Sequence, residues 1–265
     1  MSDKTPFAGM AALVTGASSG IGRATAVALA KAGADVALNY WTMPESAEAA
    51  AAEIRALGRK ALLHRIDVSD AAAVERMTND SAAAFGRFDL FVSSAVYSDR
   101  ESFLTANLDG FKRTIDVSMM GAYYALRAAA NAMIAAGKGG AAVIVGSPHA
   151  QIAFPNCMAY NMAKAGNDQM MRTAATELLS HKIRVNTVYP GWTDTPGERK
   201  FASDEAIAKG AEKQPLGRLA HVDEISRAIL FLLDPASGYI TGTVMHVDGG
   251  LFLPWWSNRG SADGF

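Results

Sequence analysis

A chain of 265 residues, half of them hydrophobic, is long enough for one large α/β domain with a sizeable core. Its 25 Lys and Arg against 26 Asp and Glu leave a formal net charge of −1, which offers neither a basic footprint for nucleic acid nor a polybasic membrane patch. A single cysteine, Cys157, rules out an internal disulfide, and no Cys–His cluster suggests a metal; Cys157 reads as a small buried hydrophobe.

In chain order, "MSDKTPFAGM" carries an early acid and no long apolar run, unlike a secretory signal. No apolar stretch reaches the ~20 residues of a membrane span, so a cytoplasmic protein is expected. Short apolar runs then alternate with Ala-rich helical stretches. Strands are predicted at 10–16, 35–40, 60–67, 88–95, 141–147, 183–191 and 243–250. Helices are predicted at 20–34, 45–58, 70–86, 107–136, 157–181 and 221–233. Strand, helix, strand in repetition means parallel pairing through crossovers, because parallel neighbours need a long connection. Right-handed crossovers put helices on both faces, and the strands are apolar on both sides as that requires. The expected fold is one Rossmann-like, doubly wound domain over 1–265 with about seven parallel strands. The least regular stretch, 191–215, is expected to form a lid, and 251–265 a C-terminal tail.

The first strand runs into "TGASSGIG" (15–22), which holds Gly16, Gly20 and Gly22 at a strand-to-helix turn. A phosphate needs close approach of backbone N–H groups, which a Cβ would obstruct, and it gains from the positive end of a helix. The competing reading is a tight turn with no ligand. Ligands in such sheets bind beyond the carboxyl ends of the strands. There stand Tyr40–Trp41, Asp67–Val68, Ser93–Ser94–Ala95, Gly146–Ser147 and Pro190–Gly191. In "AYNMAKAG" (159–166), Tyr160 and Lys164 are four residues apart, on one face of a helix. Alone, that spacing also describes a solvated polar pair. Following the strand that ends at Ser147, it predicts a phenol and an ammonium beside a bound dinucleotide.

Taken together, "TGASSGIG", "DV" at 67–68, Ser147 thirteen residues before Tyr160, "YNMAK", "PGWTDT" at 190–195 and "ITGTVMHVDGG" at 240–250 make the chain resemble the short-chain dehydrogenase/reductase family over about 10–250. The resemblance implies that Tyr160 is the general acid/base as hydride moves to or from a nicotinamide, and that Ser147 orients the reacting oxygen. It implies that Lys164 makes the phenol more acidic and holds the nicotinamide ribose. A free phenol titrates near ~10, and bringing it to ~7 takes roughly 4 kcal/mol of preference for phenolate. The family pattern further implies Gly16, Ser18, Ser19, Gly20, Ile21 and Gly22 at the phosphates, Asp67 and Val68 at the adenine, and Ser93 and Ala95 near the ribose. Pro190, Gly191, Thr193 and Thr195 would border the carboxamide and phosphates. Two departures stand out. The chain has "SSAV" (93–96) where members commonly have Asn-Asn-Ala-Gly. Ser118 stands where they commonly have an asparagine that holds a water leading to the lysine.

An acid at the end of the second strand would repel a 2′-phosphate. Tyr40 occupies that place, with no acid before Glu45 and no Arg or Lys in the stretch to clamp a phosphate; Tyr40, Trp41 and Thr42 could donate hydrogen bonds, and on the missing repulsion alone NADP is expected over NAD. Trp41 also reads as adenine-facing packing or simple exposure. "SPHAQIAFP" (147–155), "TPGERKF" (195–201) and the tail "LFLPWWSNRG" are similar to the glucose dehydrogenase branch. His149 would then meet a hydroxyl-rich substrate, or else be an ordinary loop histidine. Trp255 and Trp256 are expected to pack on a neighbouring subunit or cap a pocket, in a homo-oligomer that the family implies to be a tetramer. The main reading is an NAD(P)-dependent alcohol/carbonyl oxidoreductase for a small sugar or polyol. The alternatives are a 3-oxoacyl-carrier-protein reductase, with Arg199 and Lys200 as a thin basic patch, and a non-catalytic dinucleotide-binding regulator.

Overall fold

The computed structural model describes residues 5–254. Seven parallel strands form one sheet: β1 (Ala11–Val14), β2 (Asp35–Tyr40), β3 (Ala61–Arg65), β4 (Leu90–Ser93), β5 (Gly140–Val145), β6 (Ile183–Pro190) and β7 (Val244–Val247). Their spatial order is β3-β2-β1-β4-β5-β6-β7. The order reverses between β1 and β4, and a crevice opens there at the carboxyl ends.

Alternation along each strand feeds two cores. Ala12, Val14, Val36, Leu38, Val143 and Val145 pack with α1 (Gly20–Lys31), α2 (Pro44–Ala56) and α8 (Val222–Leu233). Leu13, Ala37, Phe91, Ile144 and Val185 point the other way. They pack against α3 (Ala71–Phe85), α5 (Gly121–Ala136) and α6 (Met158–Glu177). A strand buried on both faces has few polar positions, which is why these segments read as largely apolar runs.

Two segments differ from the sequence-based expectation. The helix expected over 107–136 is α4 (Leu108–Ile115) joined to α5 by a π-helical turn at Asp116–Met120. Inside that turn the Ser118 carbonyl accepts from the Asn167 side chain at 2.9 Å, and its hydroxyl bonds the Tyr97 backbone. The Asn167 side chain thus gives the Ser118 carbonyl a partner that a regular ladder would have supplied. Periodicity alone cannot register such a turn. The stretch 191–215 is also more regular than expected. It holds a 3₁₀ turn, Pro196–Lys200, and α7 (Asp204–Ala211), capped by the Ser203 hydroxyl, which accepts from Ala206 N at 3.3 Å. Eight residues containing Gly210 carry too little periodicity to announce a helix. Among the described residues no helix is long and apolar enough to cross a membrane. Trp255 and Trp256 lie outside the described residues.

Candidate active site

The glycine loop is shaped by contacts that leave no room for side chains. Gly16 has φ +65°, and a Cβ there would sit 2.8 Å from the Ala95 backbone. A Cβ on Gly22 would overlap the Gly16 carbonyl, and one on Gly20 would come within 3.2 Å of Thr195. Two residues unremarked in the sequence hold the loop. Thr15 Oγ1 accepts from Ser94 N at 3.1 Å and Ala95 N at 3.3 Å. Buried Asn39 accepts from Gly16 N at 3.4 Å and donates to the Ile66 carbonyl at 2.9 Å. The loop ends on the N-terminus of α1, whose first turn carries no acid. A backbone-lined cradle against a helix N-terminus fits a dinucleotide pyrophosphate.

The other strand ends converge on the same crevice. Ser93 is buried at the end of β4, and Ala95 abuts Gly16, so "SSAV" keeps the close backbone approach that the turn needs. Gly191 N bonds the Val247 carbonyl at 2.9 Å beyond Pro190, and Thr193 Oγ1 donates to the Gly191 carbonyl at 2.9 Å. Thr195 reaches back toward Gly20. Val68 is buried against Gly121, while Asp67 pairs with Arg113 at 2.7 Å and accepts from Ser69. Ser18 is buried, its carbonyl bonded by Ser46 Oγ at 2.7 Å; Ser19 is the N-cap residue of α1, and Ile21 lies in its first turn.

Beyond β5, buried Ser147 precedes a short 3₁₀ turn, Pro148–Ala150, with its hydroxyl accepting from His149 N at 3.3 Å. Tyr160 stands one turn before Lys164 on α6. Burial pushes the Tyr160 phenol up to about 12, partly offset by its hydrogen bond with Ser147. Lys164 is buried, and its Nζ donates to the Val145 carbonyl at 2.7 Å and lies over the Tyr160 ring, 5.4 Å from the centroid. Burial draws Lys164 down to about 8, against the raising effect of the Asp168 carboxylate. Among the described residues burial is the leading influence on the phenol, and the Lys164 ammonium sits over its ring. The Ser118 hydroxyl accepts from Tyr97 N at 2.9 Å and donates to Tyr97 O at 2.6 Å, so it anchors the β4 loop and keeps one lone pair with which to accept from a water.

A buried cation with a lowered pKa weakens the fold at neutral pH. The stability tied to the uncharged amine is full above the unfolded pKa of about 10.4 and is lost as pH falls through about 8. Lys164→Met should accordingly raise stability at pH 7 by about 2 kcal/mol, after about 1 kcal/mol is lost at the Val145 carbonyl. The advantage should shrink between about pH 8 and pH 10.4. Urea titrations across that range check it; a mutant less stable than wild type at pH 7 contradicts it.

At the far end of the crevice, Tyr40 closes β2 and pairs across the sheet with Arg65 of β3. Trp41 is 51% exposed, with the Arg65 guanidinium 5.7 Å from its ring centroid. Thr42 follows on the exposed turn before α2. The sequence stretch around Tyr40 contains no cation; strand pairing brings one there from twenty-five residues away. A shallow hollow between α7 and Leu219–His221 contains none of Ser147, Tyr160 and Lys164. Cys157 is buried and its thiol is pushed up by burial, which suits packing rather than nucleophilic attack.

Comparisons with known proteins agree with this geometry. The family described as "Enoyl-(Acyl carrier protein) reductase" matches residues 16–252. L-rhamnose 1-dehydrogenase (NAD(P)(+)) of Sphingomonas sp. (strain SKA58) is 37% identical over 246 residues, covering 92% of this chain and 97% of that protein. Cis-4-hydroxycyclohexanecarboxylate dehydrogenase of Sinomonas cyclohexanicum is 37% identical over 245 residues, covering 92% of this chain and 97% of its own. The crystal structure of a short-chain type dehydrogenase/reductase from Mycobacterium marinum superposes with a TM-score of 0.89 at 33% identity, over 95% of this chain and 99% of that one. A nucleotide cradle beside a Ser–Tyr–Lys cluster defines a hydride-transferring oxidoreductase. This chain belongs to the short-chain dehydrogenase/reductase family and is an NAD(P)-dependent enzyme of that kind.

Proposed function

We propose that the enzyme interconverts an alcohol and a carbonyl on a small sugar- or polyol-like substrate. The observation that carries this is the convergence of Ser147, Tyr160 and Lys164 beyond β5, beside the glycine cradle. When bound, the nicotinamide supplies or accepts the hydride. Tyr160 exchanges the proton at the substrate oxygen, and Ser147 Oγ donates to that oxygen and aligns it. Burial keeps the phenol protonated, the form that gives a proton to a carbonyl. Lys164 holds the Tyr160 ring from beneath and offers ammonium hydrogens to the nicotinamide ribose. Gly16, Ser18, Ser19, Gly20, Ile21 and Gly22 hold the phosphates, Asp67 and Val68 the adenine, Ser93 and Ala95 the ribose. Pro190, Gly191, Thr193 and Thr195 line the carboxamide side. His149, next to Ser147 and Tyr160, faces the substrate.

The names of both relatives given above specify a hydroxylated ring compound, which favours a sugar or polyol over an acyl thioester. The basic pair expected to receive an acidic carrier is internally neutralised. Arg199 pairs with Asp194 and Asp204, each at 2.9 Å, and Lys200 with Asp99 at 2.9 Å. The Lys200–Asp99 pair, with Arg100–Glu198 at 3.4 Å, also ties 196–201 to the loop after β4, which supports the reading of 191–215 as a lid within one catalytic domain. A cytoplasmic homotetramer is part of this proposal. Exposed Tyr123, Ile134, Met158 and Met162 on α5 and α6 suit helix packing between subunits, and sedimentation would measure the assembly. A panel of sugars, polyols, small ketones and an acetoacetyl thioester, followed by nicotinamide absorbance, tests the substrate class; turnover of the thioester alone would refute it.

NADP is the proposed preferred cofactor. Tyr40, Trp41 and Thr42 offer donors without an acid, and the Arg65 guanidinium supplies the positive charge that a 2′-phosphate requires. Arg65→Ala should weaken NADP(H) binding about tenfold or more and leave NAD(H) binding unchanged. Fluorescence titration with both nucleotides reads this directly, and equal losses for the two would remove Arg65 from cofactor choice.

A further inference from the structure

The His149 ring is held on three sides. Its Nδ1 lies 2.7 Å from Asn161 Oδ1. It stacks on Phe154 with centroids 4.3 Å apart at 30°, and meets Tyr160 edge-on at 5.0 Å and 79°. Asn161 in turn donates through Nδ2 to the Phe154 carbonyl at 2.9 Å. A backbone carbonyl only accepts, so this bond decides which end of the amide is nitrogen. The remaining amide oxygen also only accepts, so the His149 nitrogen facing it must carry the proton. In the neutral ring Nε2 is then a lone-pair acceptor. Among the described residues Nε2 bonds to nothing, and it is not one of the buried polar atoms lacking a partner, so it opens to the cleft. Burial lowers the ring's pKa; the Asn161 bond opposes this, while the positive charges facing the ring, Arg100 and Lys164, add to the lowering. The ring is thereby kept neutral at pH 7.

We propose that Asn161 is a positioning residue that locks His149 in the Nδ1–H tautomer, so that Nε2 accepts a hydrogen bond from a second substrate hydroxyl neighbouring the carbon that reacts. This rests on the reading of the site as an alcohol/carbonyl oxidoreductase and narrows its substrates to vicinal hydroxy compounds. An acceptor at that place favours a neighbouring hydroxyl and gains nothing from an ether, a carbonyl or a bare methylene.

Two measurements test it on the intact enzyme. The first is nitrogen NMR of the histidine-labelled protein, with the His149→Phe difference spectrum assigning the ring. Protonated Nδ1 and bare Nε2 are expected; protonated Nε2 overturns the tautomer lock. The second is the ratio of kcat/KM for cis-cyclohexane-1,2-diol to that for cyclohexanol. Wild type should favour the diol about tenfold, with a ratio that stays flat between neutral and mildly alkaline pH, and His149→Phe should erase the preference. Asn161→Asp keeps an acceptor at Nδ1 but favours the imidazolium, whose Nε2 donates. A donor serves a methyl ether oxygen as well as a hydroxyl, so this variant should favour cis-cyclohexane-1,2-diol over its monomethyl ether only as pH rises past the ring's raised pKa, a change of profile that loosened packing would not produce. An unchanged ratio in His149→Phe, or a flat profile in Asn161→Asp, overturns the substrate contact. If wild type turns over no alcohol or carbonyl at all, the functional reading itself fails, and the nitrogen spectrum still decides the tautomer.

Discussion

Tyr160→Phe is expected to cut kcat by roughly 10²–10⁴-fold in either direction, with nucleotide affinity and thermal stability nearly unchanged. The substitution removes one oxygen and keeps the ring that packs against His149 and over Lys164. Ser147 remains to orient a substrate, so what is lost is the proton exchanged in the transition state. That loss falls on kcat and kcat/KM together, whereas lost binding would fall on KM. A second consequence appears at high pH. The Tyr160 phenol titrates at about 12 in the folded chain against about 10 unfolded, so the stability it contributes is full below about pH 10 and is lost as pH rises through about 12. The Phe variant lacks that loss and should outlast wild type in strong alkali. Steady-state rates, nucleotide titration and alkaline melting measure the three parts. Equal rates in wild type and variant would strip Tyr160 of its role.

Gly16→Ala is expected to destabilise the fold by about 2–5 kcal/mol and to weaken nucleotide binding. Gly16 has φ +65°, which costs an alanine about 1–2 kcal/mol. The new methyl would also lie 2.8 Å from the Ala95 backbone, where nothing flexible can yield, and such overpacking costs about 1–3 kcal/mol. The melting temperature should fall by roughly 5–15 °C. Gly137 provides the control. It has a similar φ, +68°, at the end of α5, but a Cβ there meets nothing within 4 Å. Gly137→Ala should cost only the conformational share, about 1–2 kcal/mol, and leave nucleotide affinity intact. Calorimetric melting and titration of both variants separate the two contributions. If Gly16→Ala and Gly137→Ala behave alike, the close approach of β1 and β4 does not matter as argued.

Much of this was legible in the sequence. The order of strands and helices followed from apolar periodicity, because a sheet covered on both faces leaves continuous apolar runs such as Ala141–Val145. The glycine loop was legible because Gly16 and Gly22 answer local demands of backbone geometry. The Tyr160–Lys164 spacing was legible because a helix turns every ~3.6 residues. What the sequence by itself determined was therefore local: which segments are strands, where the chain turns, and which polar side chains share a helix face.

Tertiary structure decided what depends on burial and on distant neighbours. It pushed Tyr160 up and drew Lys164 down, because desolvation is a property of the packed site and not of the spacing between two residues. It tied the Ser118 hydroxyl to the Tyr97 backbone, because the π-helical turn and the β4 loop meet only in the fold. It brought Arg65 beside Trp41 through the register of β2 and β3, and it put the amide of Asn161 against His149. These partners lie at least twelve residues apart in the chain, where helix or strand periodicity says nothing of which side chains meet. A hydrogen bond or a lost hydration shell exists only once packing has brought its two sides together.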